Sequence, residues 1–220
     1  MSLTLHSRIG TPGTLRALRF TWLRLQSRAD TASLAAPLES ARLRLRAAAE
    51  AEAELEERSA ALTAEIAYLD GLEDAEVSSL ARELRVLVGG NLKDPRWTRL
   101  FSTAPSELVK PVGGPVQSLH IHHILRTMAV DGDYASLSAR RDTLDAAREA
   151  VEATETARSS LGGPLMAAQL ERRQALDAAH RVYNRVKPQL QLLFDSAALI
   201  RSFFPPSPTS SAEEAEGDKA

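Results

Sequence analysis

The amino-acid sequence predicts an all-α protein, an antiparallel up-and-down four-helix bundle whose long helices carry heptad patterns. Alanine, leucine, arginine and glutamate dominate the 220 residues and aromatic residues make up only 5%, which is typical of long helices. Apolar residues recur every three or four positions over residues 34–69 and 165–204, which is the helical period. Glycine-containing steps separate these stretches and indicate turns.

The first long helix is predicted over residues 34–69. At 1.5 Å per residue it would be about 54 Å long, so it needs packing partners along its length. The Asp70-Gly71 step predicts a break, and a second apolar stripe over residues 77–87 ends at Gly89-Gly90. Together these features predict an antiparallel helical hairpin. The heptad seam of the first helix runs through Leu34, Leu38, Ala41, Leu45, Ala48, Glu52, Leu55, Ser59, Leu62, Ile66 and Leu69.

Shorter helices are predicted in the middle of the chain. Asp94-Pro95 has the pattern of an N-cap followed by proline at the first helical position, and another short helix is expected over residues 105–110. A proline- and glycine-rich break at 111–115 precedes a helix over residues 116–129, so the second bundle element, residues 73–129, is an interrupted one. Asp133 is the expected N-cap of the following helix.

The last two bundle helices are predicted over residues 134–161 and 165–204, with a turn at Gly162-Gly163-Pro164 between them. The apolar stripe of the final helix keeps its phase beyond Pro188, so we expect a kink there and not a stop. Each half of the chain runs long helix, glycine turn and second helix. The bundle could therefore consist of two related helical hairpins, although few residues are identical between them.

This organisation divides the chain into three parts. Residues 1–32 form a basic N-terminal segment with an accessory amphipathic helix, residues 33–204 form the helical bundle domain, and residues 205–220 form a disordered acidic tail rich in proline and serine. The absence of a bilayer-length apolar run and of a signal-peptide pattern favours a soluble, cytoplasmic protein. An acid-free, arginine-rich start is also compatible with an organellar transit peptide.

Several classes of chemistry are excluded by composition and motif. Cysteine is absent, which rules out disulfides, thiolate metal sites and cysteine nucleophiles. The net charge of −2 argues against a surface built as a whole to hold nucleic acid. The glycine patterns of phosphate-binding loops and the motifs of serine hydrolases, zinc proteases and EF-hands do not occur. We therefore expect no enzyme activity and no cofactor.

A run of three histidines within four residues begins at His120 and ends at His123. These two lie three residues apart on nearly the same helix face, so both could reach one metal ion. Two ligands are too few for a site, and Asp131, Asp133 or His180 would have to supply a third. The alternative is that the histidines edge a core helix or face solvent.

The N-terminal segment predicts a basic amphipathic helix whose candidate interaction residues are Arg16, Arg19, Trp22 and Arg24. Such a helix can bind nucleic acid or anionic membrane, here through residues 8–28. It can equally dock on its own bundle or on a dimer mate, with its arginines paired to the glutamates of residues 50–57. We favour this docking.

An aromatic-rich irregular stretch around Trp97, Phe101 and residues 109–112 interrupts the predicted bundle. Such a departure from helical regularity often marks a binding surface or the end of a bundle core. Buried packing is the alternative explanation, and the sequence favours it.

The sequence as a whole favours a non-enzymatic interaction or scaffold protein that acts through helix-face association with a protein partner or with itself. The surplus apolar surface of the long seams favours a homodimer. A metal-binding helical bundle that uses His120 and His123, or binding of nucleic acid or anionic membrane through residues 8–28, are the alternatives. The candidate contact positions, which could equally be intramolecular core, are Leu38, Leu45, Leu55, Leu62 and Ile66.

Overall fold

A computed structural model describes residues 4–5, 9–109 and 115–206, with the side chains of 115 and 116 excepted. The regular elements of this part of the chain are all helical, which confirms the predicted all-α class. The break predicted at 111–115 lies mostly outside the described residues, as do residues 207–220 of the predicted tail. In chain order the elements are α1 (Thr11–Gln26), α2 (Ala32–Leu87), α3 (Pro95–Leu100), α4 (Pro105–Leu108), α5 (Pro115–Val130), a 3₁₀ helix (Gly132–Leu137), α6 (Ser138–Ser160), α7 (Gly162–Leu193) and α8 (Ala197–Ser202).

The helix α2 is continuous over 56 residues, which corresponds to a length of about 84 Å. The break predicted at Asp70-Gly71 is therefore wrong. One glycine in a helix interior costs about 1 kcal/mol relative to alanine, and the buried residues Ile66, Glu73 and Val77 pack the helix on both sides of this point. The first of the two hairpins on which the predicted four-helix bundle depended is not formed.

The described residues fall into two compact units. Unit 1 comprises Met1–Leu55 and Gly163–Ala220, and unit 2 comprises Glu56–Gly162. The helix α2 thus contributes its first part to unit 1 and its second part to unit 2. The division into residues 1–32, 33–204 and 205–220 stays a prediction.

The core of unit 1 is built from α1, the first part of α2, α7 and α8. Tyr183 and Phe204 meet edge to face with ring centroids 5.6 Å apart. The main chain of Leu5 donates to Asn184 Oδ1 at 2.8 Å and accepts from Asn184 Nδ2 at 3.1 Å, which holds the segment before α1 beside α7. The largest buried members of this core are Leu18, Leu25, Leu38, Leu45, Tyr183, Leu190, Ile200, Phe203 and Phe204.

The final helix is shorter than the apolar stripe predicts. The helix α7 passes through Pro188, as expected, but ends at Leu193 and not at residue 204. The Ser196 side chain accepts a hydrogen bond from Leu199 N at 3.3 Å and begins α8. A local cap of this kind satisfies backbone donors that a continuous helix would pair internally, so the stripe is divided between two helices.

The core of unit 2 is built from the second part of α2 together with α3, α4, α5, the 3₁₀ helix and α6. Its buried side chains come from residues 77–144. Three of the apolar residues in the helix predicted over 116–129, Ile121, Ile124 and Leu125, belong to this core. Its buried members include Val77, Leu80, Leu84, Leu100, Phe101, Ile121, Ile124, Tyr134 and Leu144.

Two aspartates cap elements of unit 2. Asp94 accepts from Arg96 N at 2.8 Å at the start of α3, as predicted. The cap expected at Asp133 is wrong, because Asp131 takes this role and accepts from Asp133 N at 3.0 Å, and a 3₁₀ helix intervenes before α6. The Arg99 side chain donates to the carboxylates of Asp131, at 2.5 Å, and Asp133, at 2.6 Å. These two bonds fix the turn between α5 and the 3₁₀ helix.

Candidate functional site

An open groove lies in unit 2 where the outer face of α2 meets the irregular segment that follows it. From α2 it is lined by residues at positions i, i+3, i+4 and i+7, which share one helix face. We call this the Trp97 groove, and its volume is about 410 Å³. Its lining residues are Ser78, Ala81, Arg82, Arg85, Leu92, Trp97, Pro105 and Ser106.

Backbone geometry places the irregular segment beside α2. Gly89 and Gly90 have φ of +61° and +79°, a left-handed conformation that L side chains rarely adopt. Gly90 N donates to Arg85 O at 2.8 Å, which ends α2 and reverses the chain. Trp97 is held on this side by Phe101, a buried neighbour whose ring centroid lies 5.1 Å away.

The polar side chains of the Trp97 groove have no partner within the described part of the chain. Neither Arg82 nor Arg85, both exposed, has an ion pair there. The indole N–H of Trp97 and the hydroxyls of Ser78 and Ser106 make no hydrogen bond among those residues. The groove therefore presents two guanidinium groups and an indole donor, and none of the described residues that line it carries a carboxylate.

A second groove, of about 400 Å³, lies on the other side of Arg82. Its apolar lining is unusually accessible, because Val86 is 79% exposed and Leu87 is also exposed. Glu83 on its edge is already paired, accepting from Arg140 Nε at 2.6 Å. We call this the Val86 groove, and its lining residues are Arg82, Glu83, Val86, Leu87, Ser136 and Leu137. The two grooves together form the α2 end surface.

A separate polar network is buried between α2, α5 and α6. Arg148 Nε donates to Glu152 at 2.8 Å, and Arg148 Nη1 lies 3.6 Å from Glu73 Oε1, close enough for an ion pair but too far for a hydrogen bond. Gln117 donates to Asp74 at 2.8 Å. Glu73 Oε1 and Gln117 Oε1 are both buried without a hydrogen bond.

Burial raises the pKa of two carboxyl groups in this network, those of Glu73 and Asp74. Desolvation raises the pKa of Glu73 to about 7, against the attraction of Arg148, which lowers it. Desolvation also raises the pKa of Asp74 to about 6, with a further contribution from the neighbouring Asp70. Because the network joins three helices, it holds unit 2 together.

His120 and His123, the proposed metal ligands, have no third metal-binding side chain beside them among the described residues. His123 Nε2 lies 2.9 Å from the carbonyl oxygen of Arg99, while His120 is half-buried on α5. The suggested donors Asp131 and Asp133 bind the Arg99 side chain instead. Within the described ranges no three histidine, aspartate or glutamate side chains are placed to hold one metal ion.

His180, the remaining suggested donor, belongs to unit 1. Its Nε2 lies 2.9 Å from Thr14 Oγ1, and burial lowers its pKa from the ordinary value. This histidine therefore packs α7 against α1.

The five apolar residues of α2 that were predicted as contact positions differ in how far they are buried. Leu38 and Leu45 are 0% exposed and belong to the core of unit 1. Ile66 is also buried, whereas Leu55 and Leu62 are only half-buried. The first three contact their own chain and are not available to a partner.

The N-terminal helix docks within unit 1, as favoured from the sequence, and its apolar face is part of the core. Arg16, Arg19 and Arg24 are exposed, and Arg24 lies over the Phe20 ring at 5.5 Å. Trp22 is half-buried and packs against the core of unit 1.

The glutamates of residues 50–57 do not pair with these N-terminal arginines in the part of the chain that the structure describes. Glu50 accepts from Arg46 Nε at 2.7 Å, and Glu52 pairs with Arg172. The predicted pairing between the N-terminal arginines and these glutamates is therefore wrong. Glu50 and Glu52 have closer arginine partners on α2 itself and on α7.

Sequence reasoning found one part of the α2 end surface. It singled out Trp97, but Arg82, Arg85 and Leu92 gave no signal because exposed arginines and a loop leucine are common on any helical protein. The i, i+3 spacing of Arg82 and Arg85 before a glycine stop is too common on helical proteins to identify a site.

These features define an all-α protein with a surface groove in unit 2. Comparisons of the chain with protein-family models, with curated protein sequences and with solved structures gave no match. No helix among the described residues is both long and apolar enough to cross a membrane.

Proposed function

We propose that this chain is a non-enzymatic interaction protein that binds a protein partner through the α2 end surface. The observation that carries the proposal is the group of accessible apolar side chains around the end of α2, where Val86 and Leu92 are 79% and 47% exposed. They adjoin Arg82 and Arg85, which have no ion pair in the part of the chain that the structure describes. An accessible apolar patch with polar edges is a common property of protein-binding surfaces.

The proposal keeps the helix-face association expected from the sequence but changes its location. Leu38 and Leu45 are packed inside unit 1, so the accessible positions at the end of α2 replace them. A second copy of the chain is one candidate partner, and the predicted homodimer and cytoplasmic location are retained as parts of this proposal.

The test is affinity capture from a lysate of the source cells with immobilised full-length protein and two variants. Leu92→Lys places a charge in the Trp97 groove, and the matched control Leu170→Lys alters a leucine of unit 1 that is 57% exposed. We expect one set of proteins to be retained by the wild type and the control and lost with Leu92→Lys. Identical retention by all three proteins would contradict the proposal.

Self-association is measured separately by sedimentation velocity. If the partner is a second copy, the wild type and Leu170→Lys sediment as dimers and Leu92→Lys as a monomer. Circular dichroism of each variant checks that its helical content is unchanged.

A second candidate function is binding of nucleic acid or anionic membrane through residues 8–28. The specific observation in its favour is that Arg16, Arg19 and Arg24 are exposed and have no ion pair among the described residues. The apolar face of α1 is used in the core, so this binding would depend on charge and fall steeply with salt.

This second candidate is tested by anisotropy with a labelled oligonucleotide and by flotation with phosphatidylserine vesicles. Arg16→Glu/Arg19→Glu should abolish binding, whereas the control Arg173→Glu, an exposed arginine of α7, should reduce it only slightly. Absence of binding at low salt would reject this candidate.

A further inference from the structure

We propose that the occupant of the Trp97 groove is an acidic amphipathic peptide helix of the partner, with two carboxylates three or four residues apart next to an apolar side chain. This inference rests on the proposed function and names the chemistry of its partner. It follows from the charge, the spacing and the apolar floor of the groove.

The charge of the lining selects an anionic ligand. Arg82 and Arg85 contribute two positive charges, and no aspartate or glutamate is among the described residues that line the groove. Neither arginine has an ion pair within the described residues, so a carboxylate of the partner would gain a charge-assisted bond without breaking one inside this chain. The indole N–H of Trp97 adds one more donor for such a ligand.

The spacing of the arginines fits a helix better than a polynucleotide. Arg82 and Arg85 are three residues apart on α2, about 4.5 Å along its axis. Carboxylates three or four residues apart on a partner helix have nearly the same separation. A nucleic-acid strand needs a longer series of cations that follows its phosphates, and the described residues of the lining supply two.

The floor of the groove gives the apolar part of the specificity. Ala81 is buried, Trp97 and Pro105 are half-buried, and Leu92 is 47% exposed. An apolar side chain of the partner can cover Leu92 and Trp97 and exclude water from the adjacent arginine contacts, as surrounding apolar contacts do at protein interfaces. Neither a purely acidic nor a purely apolar peptide satisfies both parts of the lining.

The experiment is a display selection of random twelve-residue peptides on the immobilised full-length protein, with subtraction on Leu92→Lys. We expect the enriched peptides to carry paired acids at spacing three or four beside an apolar residue. Enriched peptides without an excess of acids would overturn this inference and leave the proposed function standing. Recovery of no peptide that depends on Leu92 would count against both.

The best enriched peptide is then measured by fluorescence anisotropy on matched variants. Arg82→Gln/Arg85→Gln should weaken binding about tenfold, the loss expected for two exposed ion pairs. The control Arg126→Gln/Arg158→Gln alters two other exposed arginines of unit 2 and should leave affinity within about twofold. Equal affinity for both double variants would overturn the assignment of the arginines.

A single-stranded oligouridylate is included as a competitor. We expect it not to displace the peptide at concentrations far above the peptide's Kd. Displacement that depends on Arg82 and Arg85 would instead identify the groove as a nucleic-acid site and overturn the peptide assignment.

Discussion

Glu73 has a side chain that is only 1% exposed, and burial raises its pKa from 4.5 to about 7. Between these two pH values the folded protein holds the proton more tightly than the unfolded chain does. Its contribution to stability is therefore fully present below about pH 4.5 and is lost as the pH rises through about 7. Asp74, whose pKa is raised to about 6, acts in the same direction.

We expect Glu73→Gln to reduce this pH dependence. Between pH 5 and pH 8 the wild type should lose about 2 kcal/mol more unfolding free energy than the variant, because glutamine carries no charge to bury. Urea denaturation followed by circular dichroism at several pH values measures the difference.

The matched control for this prediction is Glu149→Gln, since Glu149 is an exposed residue of α6. It should leave the pH dependence of the wild type unchanged. The burial argument fails if the two variants give the same dependence.

Leu45 and Leu43 lie two residues apart on α2 but on different faces. Leu45 is 0% exposed and Leu43 is 50% exposed. Leu45→Ala should cost about 2–5 kcal/mol of stability, because it leaves a cavity in the core of unit 1, and Leu43→Ala should cost well under 1 kcal/mol. Chemical denaturation of both variants measures the contrast, and equal losses would contradict the assigned face of α2.

At the scale of an element, Gly71 and Gly90 show how one residue type has two roles. Gly71 lies inside α2, and a Cβ there would have no atom within 4 Å, whereas Gly90 has φ of +79°. Gly71→Ala should stabilise the protein by about 0.5–1 kcal/mol by favouring the helix. Gly90→Ala should destabilise it by about 1–2 kcal/mol through backbone strain.

Thermal denaturation of the two glycine variants checks these opposite signs. A lower Tm for Gly71→Ala would mean that the backbone at this position departs from a regular helix. The pair thus tests directly whether α2 is continuous through the point where a turn was expected.

Element boundaries were predictable where local chemistry decides them. Asp94 followed by proline begins α3, and the glycines after residue 87 end α2, because each satisfies or terminates backbone hydrogen bonds without help from distant residues. The break predicted at Gly71, the cap predicted at Asp133 and the single final helix predicted to run to residue 204 were wrong. At these positions the packing of neighbouring helices, the contacts of Arg99 and the cap at Ser196 decide the outcome.

At the scale of the whole molecule, the core of unit 2 comes from one continuous stretch of chain, whereas unit 1 combines two distant stretches. We expect a fragment of residues 56–162 to fold alone with a cooperative thermal transition, because it contains every member of that core. Residues 1–55 alone should remain largely unfolded, because they lack the residues of α7 and α8 that complete the core of unit 1.

Circular dichroism and amide hydrogen exchange of the two fragments measure this difference. A fragment 56–162 without a cooperative transition would show that its core needs the rest of the chain. Mixing residues 1–55 with a fragment of residues 163–206 should restore helicity if the core of unit 1 is assigned correctly.

The candidate site was only partly predictable. Trp97 could be identified because an aromatic residue in an irregular stretch is unusual in a helical protein, and the arginines of α1 because the segment contains no acid. The Trp97 groove itself depends on the reversal at Gly90 that returns the chain to α2. Residues 78–106 meet there only after folding, so their pattern along the chain carries little information.

The sequence alone determined that the protein is helical, where α3 and α5 form and how α2 ends, because helix propensity, capping and glycine conformation act over a few residues. Only the tertiary structure decided that α2 runs unbroken, that Leu38 and Leu45 are internal, and that Arg82 and Arg85 are left without ion pairs among the described residues. These outcomes depend on which distant side chains become neighbours, and the energy of those contacts exceeds the small local preferences that a sequence pattern records.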